Sequence, residues 1–276
     1  FQAGGAQPDP GPQPLDPAAG GGDEIATLRR AFAQMTRRIA DQWRELTTQD
    51  QQRRELVANI SHDLRTPLTS LHGYLETLRV KADTLSQAER QRYLDIALGQ
   101  SRKVGRLAQE LFELARLEYG VVKPDKERFS LPELLQDVFQ KFELAAEARR
   151  QQLAMDIAPG LPGVTADLGM IERVLTNLLD NAIRHTPAGG RIDVRVRREG
   201  AAVEVQVGDS GPGVPEPLRA TLFTRPSFQA AARDSGGGLG LVIVQRILQL
   251  HGSDIRLVQE QGRGAVFRFQ LSASPA

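Results

Sequence analysis

The chain has 276 residues, a formal net charge of +1, 40% hydrophobic and 25% charged residues, and no cysteine. The near-neutral balance, without a long basic run, argues against nucleic acid as a partner, and the missing cysteine excludes disulfides, thiolate catalysis and cysteine-held metals. The length suits about two domains at roughly 100–200 residues each, and no apolar stretch approaches the ~20 residues that span a bilayer.

Residues 1–22 are rich in Gly, Pro, Ala and Gln, with Leu15 as the one large aliphatic side chain. Such a segment buries too little apolar area to offset its ordering entropy, so a disordered linker is expected. From Asp23 the pattern turns helical: Ile25, Leu28, Phe32, Met35 and Ile39 recur at steps of 3, 4, 3 and 4. The series continues through Leu46 and Leu56 to Ile60. This is the seam of a coiled coil, and a narrow apolar seam asks for a partner helix. Residues 23–50 therefore read as a signalling helix.

Leu64, Leu68, Leu71, Leu75 and Leu78 follow in a register one residue off, with Pro67 at the change. Proline removes the bond to the Asp63 carbonyl and crowds it, so a kink and a shifted seam are expected there. Arg79–Ala88 reads as a turn, Ser86 and Glu89 have capping-box spacing, and a second helix carries Val104, Leu107, Leu111 and Leu114 on one face. Two antiparallel helices with one stripe each form half of a four-helix bundle over residues 51–120, completed in a homodimer. Residues 121–128 read as a hinge.

From Phe129 to the end, residues 129–276, helical patterns (131–148, 168–183, 239–250) mix with alternating strands around Ile192–Val196, Val203–Val207 and Phe267–Leu271. The expected fold is an α/β sandwich, a mainly antiparallel sheet with helices on one face. The whole chain is thus a multi-domain protein, an α-helical hairpin followed by an α/β domain.

Two sets of residues carry chemistry. Ser61-His62-Asp63-Leu64-Arg65-Thr66-Pro67-Leu68 places His62, Asp63 and Thr66 on one helix patch that is expected to face water. Neutral imidazole is a nucleophile, and a neighbouring carboxylate can take its second proton. The other set comes in three pieces. Asn177 and Asn181, at i and i+4, can offer amide oxygens to a hard cation such as magnesium, with Arg184 and His185 one turn on. Asp209, ending a strand before Gly211 and Gly213, can accept from an adenine amino group. Gly236, Gly238, Leu239 and Gly240 lead into a helix whose free N–H groups can cradle phosphate.

The octapeptide resembles the phospho-acceptor box of the sensor histidine kinases of bacterial two-component systems. The three pieces resemble the asparagine and glycine boxes of the gyrase, Hsp90, histidine kinase and MutL (Bergerat or GHKL) ATPases, and Gly262-Arg-Gly264-Ala-Val-Phe resembles the last glycine-containing strand of that fold. The Asp23–Met35 stretch is similar to the second helix of a HAMP relay module.

The resemblance implies His62 as acceptor, Asp63 as base and Thr66 as the residue orienting water in dephosphorylation. It implies ATP held by Asn177, Asn181, Arg184, His185, Asp209, Gly211, Gly213, Gly236, Gly238, Leu239 and Gly240, with magnesium on Asn181 and Asn177 as a second candidate ligand. Residues 213–238 would form a lid over ATP. The lid departs from the family's pair of Phe three residues apart, since Phe223 is followed by Pro226 and then Phe228. ATP-hydrolysing relatives carry a water-activating glutamate where Asn177 stands, which favours a kinase. The implied partners are a second copy of the chain and a response regulator. The implied location is the cytoplasmic portion of an inner-membrane sensor whose membrane segment precedes Phe1. Two other readings are a phosphatase-dominant or non-catalytic scaffold, and a conformational ATPase; Asn177 and the octapeptide weigh against the last.

Overall fold

The computed structural model describes residues 21–118, 122–219, 222–223, 239–259 and 263–274. Residues 1–20 of the expected linker 1–22, residues 220–221 and 224–238 of the expected lid 213–238, most of the glycine-rich segment, Gly262 and Val121 of the expected hinge 121–128 lie outside the described residues, while Gly21 and Gly22 open a helix. Two compact units are present, Phe1–Glu55 and Leu56–Ala276.

In the first unit the helix α1 (Gly21–Val80) begins. Phe32, Met35, Ile39 and Trp43 are large and exposed along it. The side chains of Ile25, Leu28, Leu46, Leu56 and Ile60 lie outside the described set. The step from Ile39 to Trp43 is four residues where a heptad asks for three, which locally unwinds a supercoil seam.

In the second unit α1 runs without interruption through Pro67 to Val80 and turns back into α2 (Gln87–Glu118). The predicted capping box is present: the Ser86 N–H donates to the Glu89 carboxylate at 2.9 Å, and the Glu89 N–H to Ser86 Oγ at 3.3 Å. The apolar stripe differs from expectation. Leu64, Pro67, Leu71, Tyr74 and Leu78 are buried or half-buried, at steps of 3, 4, 3 and 4, and the Tyr74 and Tyr93 rings lie 5.6 Å apart. Leu68 and Leu75, assigned to the same seam by sequence, are 47% and 48% exposed. One helix thus carries two apolar faces: a proline that ends no helix serves the hairpin, and two leucines remain outward with Leu94 and Leu98 of α2.

The α/β domain contains β1 (Glu127–Phe129), α3 (Leu131–Ala148), β2 (Gln152–Ile157), β3 (Val164–Ala166), α4 (Leu168–His185), β4 (Arg191–Glu199), β5 (Ala202–Asp209), α5 (Glu216–Arg219), α6 (Gly240–Leu250), β6 (Arg256–Val258) and β7 (Val266–Ser272). Strands β2-β4-β5-β7-β6 form one sheet, parallel only between β2 and β4, and β1 pairs with β3 in a separate ribbon. The expected mainly antiparallel sheet is present. Alternation decides its two faces: Ile192, Val194, Val196, Val203, Val205, Val207, Phe267 and Phe269 are buried, while Arg195, Glu204, Gln206 and Arg268 between them are less so.

Helices α3, α4 and α6 cover the apolar face. In α4, Ile171, Val174, Leu175, Leu178, Leu179, Ala182 and Ile183 form the buried stripe, leaving Asn177, Asn181 and Arg184 along its edge. Asp167 caps α4, its carboxylate accepting from the Met170 N–H at 3.0 Å and from the Asp125 N–H at 3.0 Å. Strand β1 thus starts at Glu127, within the stretch 121–128 that the sequence suggests as a hinge.

The hairpin docks on the α/β domain through α2. Leu114 and Leu117 join its core, and Arg173 of α4 makes a forked ion pair with Glu113, with Nη2 2.7 Å from Oε2. Glu110, one turn earlier, has a buried Oε2 without a hydrogen-bond partner. Burial raises its pKa, against the pull of Arg173, Arg184 and Arg106.

Candidate active site

His62 and Thr66 project from the exposed side of α1, as predicted, and the His62 side chain is 75% exposed. Asp63 does not face water as the sequence suggests: its side chain is 15% exposed. It stands beside Leu64 and one turn before Pro67, at the margin of the buried stripe. Its Oδ1 lies 3.1 Å from His62 Nδ1, and its Oδ2 is buried with no partner. That contact turns Nδ1 inward and leaves Nε2 to solvent, the arrangement a nucleophilic imidazole needs if its second proton is to be taken. Thr66 Oγ1 donates to the His62 carbonyl at 3.3 Å.

Asp209 is the centre of the second constellation. It ends β5 and is 5% exposed. Its Oδ1 accepts from the Gly211 N–H at 2.8 Å and the Ala265 N–H at 3.2 Å. Among the described residues Oδ2 has no hydrogen-bond partner. Glycine is required around it for space: a Cβ on Gly211 would sit 2.6 Å from the His185 carbonyl oxygen, and one on Gly264 only 2.3 Å from Asp209 Oδ1. Gly213 holds φ at +73°, where the chain turns away. Burial, the largest cause, raises the Asp209 pKa; the two backbone N–H groups and His185 oppose this.

His185 ends α4 beside this carboxylate, and its pKa is lowered, first by the protein surrounding the ring and then by Arg184, although some of the side chain reaches solvent. Arg184 donates to Asp180 Oδ2 at 2.5 Å, so its guanidinium is already engaged along the helix. Asn177 donates its amide to the Gly240 carbonyl at 3.5 Å, which ties α4 to the start of α6. Asn181 is half-buried one turn on. Leu239 is fully buried, main chain included, and belongs to the core. Gly236 and Gly238 lie outside the described residues.

The structure thus brings Asn177 to Gly240, and His185 to Asp209, Gly211 and Gly264. Phe223, within the predicted lid, packs edge-on against Phe267 with ring centroids 6.1 Å apart; Pro226 and Phe228 are not described.

Residues 52–120 match the family model of the His Kinase A phospho-acceptor domain, and residues 166–275 that of the histidine kinase-, DNA gyrase B- and HSP90-like ATPases. The adaptive-response sensory kinase SasA of Synechococcus sp. strain JA-3-3Ab is 31% identical over 267 residues, covering 95% of this chain and 68% of that protein. The chain belongs to the sensor histidine kinases. Another relative of this family, the alginate biosynthesis sensor protein KinB of Pseudomonas aeruginosa, is 33% identical over 219 residues, or 79% of this chain and 37% of KinB. The chain therefore spans between 37% and 68% of the length of these two kinases. Among solved structures, histidine kinase ThkA in complex with response regulator protein TrrA aligns with a TM-score of 0.67 at 26% identity, covering 80% of this chain and 62% of that one. The hairpin and sheet described above are the two domains of a histidine kinase; the first matched stretch contains Ser61–Leu68, and the second contains Asn177, Asn181, Asp209, Gly211, Gly213 and Gly240.

His251, by contrast, serves the fold. A cation is the expectation at the end of α6, but the ring is neutral: Nε2 accepts from the Asp167 N–H at 3.0 Å and Nδ1 donates to the Ile247 carbonyl at 2.8 Å. Burial, foremost, lowers its pKa. His72 lies exposed on α1, apart from these networks.

Proposed function

We propose that the chain binds magnesium-ATP in the Asp209 pocket, phosphorylates its own His62 and passes the phosphoryl group to an aspartate of a response regulator. The observation that carries this reading is the exposed imidazole of His62 held at Nδ1 by Asp63, 3.1 Å away. In the transfer, Nε2 bonds to the γ-phosphorus as the bond to ADP breaks, and the Nδ1 proton passes to Asp63. Phosphoryl transfer asks mainly for positioning and charge stabilisation.

Asp209 accepts from the adenine amino group, and Gly211 and Gly213 let the ring approach. Asn181, with Asn177 as a second donor, Arg184, His185 and the glycine-rich segment with Gly236, Gly238 and Gly240 surround the rest of the nucleotide. No cluster of three or more acidic, histidine or cysteine side chains able to hold a metal exists among the described residues. An amide donor set fits an ion that arrives with the nucleotide and takes most of its oxygens from phosphate and water. Bound there, magnesium spreads the negative charge of the phosphates.

Thr66 orients water when the same domain dephosphorylates its regulator. The exposed Leu68, Leu75, Leu94 and Leu98 meet a second copy of the chain in a four-helix bundle. Residues 23–50 act as a HAMP-like relay helix from an inner-membrane sensor segment, with residues 51–120, 121–128 and 129–276 as phosphotransfer domain, hinge and catalytic domain on the cytoplasmic side. No described helix is long and apolar enough to cross a membrane.

The test is incubation with γ-labelled ATP and magnesium, beside His62→Gln. Acid-labile, alkali-stable label on the parent chain alone is expected. ATP binding without label on either protein would replace the kinase reading with a phosphatase or scaffold.

A further inference from the structure

The pairing of β4 with β5 sets Ile192 opposite Asp209 and Asp193 opposite Gly208. Since successive side chains alternate, Asp209 points to the helix-covered face and Asp193 to the polar one. Arg263, in the turn that enters β7, crosses the polar face at Gly208: a Cβ there would lie 2.9 Å from Arg263 Nη1. Its Nη2 reaches both oxygens of Asp193, at 3.0 Å and 2.9 Å. The two side chains are 20% and 11% exposed, so solvent screens the pair weakly. The residues just after Arg263 lead into β7 alongside the end of β5. There the Gly264 N–H donates to the Asp209 carbonyl at 2.8 Å, and the Ala265 N–H to Asp209 Oδ1 at 3.2 Å. One turn thus holds the end of β5 through its main chain and the Asp209 carboxylate, while its Arg263 side chain passes over Gly208, a residue with no side chain.

We propose that Arg263 and Asp193 are positioning residues for base recognition. Their ion pair straps the Gly264–Ala265 turn to the sheet, and the turn fixes Oδ1 of Asp209 so that Oδ2 meets the exocyclic amino group of adenine. This rests on the reading of the pocket as an ATP site. Neither residue touches the base. Their effect is on the choice between a purine that donates at its six position and one that accepts there, because a loosened carboxylate loses the hydrogen bond that only the donor offers.

The experiment measures equilibrium binding of ATP and of inosine triphosphate, whose six-position oxygen cannot donate, to the full chain. Parent, Arg263→Met, Arg263→Lys and Asp193→Asn are compared, each with a thermal melt. In Arg263→Met, ATP affinity is expected to fall about tenfold while inosine triphosphate stays within about twofold, so that the preference collapses. Asp193→Asn shifts the ratio the same way, and Arg263→Lys, which keeps the charge but not the fork, recovers some of it. A folded Arg263→Met that keeps the parent's preference overturns the proposal, and so does equal loss of both nucleotides. If Arg263→Met does not fold, the ratios in Arg263→Lys and Asp193→Asn decide by the same criterion. A parent chain that does not distinguish the two nucleotides would refute the adenine reading itself, and the strap with it.

Discussion

His62 has a side chain 75% exposed on an uninterrupted helix, oriented by one neighbouring carboxylate, whereas Asp209 is 5% exposed and held by main chain from two other segments. The acceptor is built to be reached, and the pocket to hold still. A group that must serve both a nucleotide and a regulator has to stand in solvent. A carboxylate that reads a base must stay rigid and dry enough for one hydrogen bond to discriminate. The two regions should therefore respond differently to substitution.

The largest expected effect on nucleotide binding is at the pocket. Asp209→Asn should weaken ATP binding by tenfold or more, as loss of a hydrogen bond with a charged partner implies at about 1.5–3 kcal/mol. Its effect on stability should have the opposite sign. The folded-state pKa of Asp209 is raised, so the protein binds this proton more tightly when folded. That contribution is full below the unfolded pKa and lost as pH rises through the folded value. At neutral pH the ionised group costs stability, and the apo variant should melt no lower than the parent.

Next is Asp63→Asn, which should slow autophosphorylation by about 10²-fold or more, as loss of a general base does, with ATP affinity unchanged. If ATP affinity fell and the rate at saturation did not, the two regions would not be separate in function. A smaller effect is expected at the α2–α4 contact. Glu113 and Arg173 are each about a third exposed, so Glu113→Gln should cost under about 1 kcal/mol in a denaturant melt. If the proposed transfer moves the catalytic domain toward His62 and breaks this pair, the same variant should not slow labelling.

The smallest effect concerns pH. His251 has a folded-state pKa below its unfolded value of about 6.5, so the stability it provides is present above that pH and lost as pH falls toward the folded value. His185 has the same sign. Between neutral pH and about pH 5 the two histidines lower the melting temperature while Asp209 and Glu110 act the other way, so the stability difference between the parent and His251→Gln should shrink as pH falls.

The same contrast explains what is legible in the chain. The acceptor is one contiguous word, and helical spacing puts His62 beside Asp63. The depth of Asp63 is not legible, because two apolar faces overlap along one helix and read as a single seam. The long helices α3, α4 and α6 show in their stripes, and β4, β5 and β7 in their alternation. β1, β3 and β6 have three residues each, too few for a period to show. β2 does carry a signal in Leu153, Met155 and Ile157. Asn177, Asn181 and Asp209 stand out by residue type and order. The partners that define the Asp209 pocket do not: Ala265 is 56 positions away, and Arg263 and Asp193 are 70 apart, meeting only because β4, β5 and β7 are neighbours. The neutral state of His251 is hidden likewise, since the Asp167 N–H that it accepts from lies 84 residues upstream.

In the proposed reaction the passage of phosphate joins the two regions, from ATP held at Asp209 to His62. The decisive measurement is a single-turnover reaction at neutral pH, mapped by mass spectrometry, on the parent chain and on Asp209→Asn. With ATP held below the parent's Kd, phosphate should be found on His62 in the parent and be reduced about tenfold or more in the variant, while a small phosphoramidate donor phosphorylates His62 equally in both. Phosphate on another residue of the parent, or equal occupancy of His62 from ATP in the variant, would contradict this coupling.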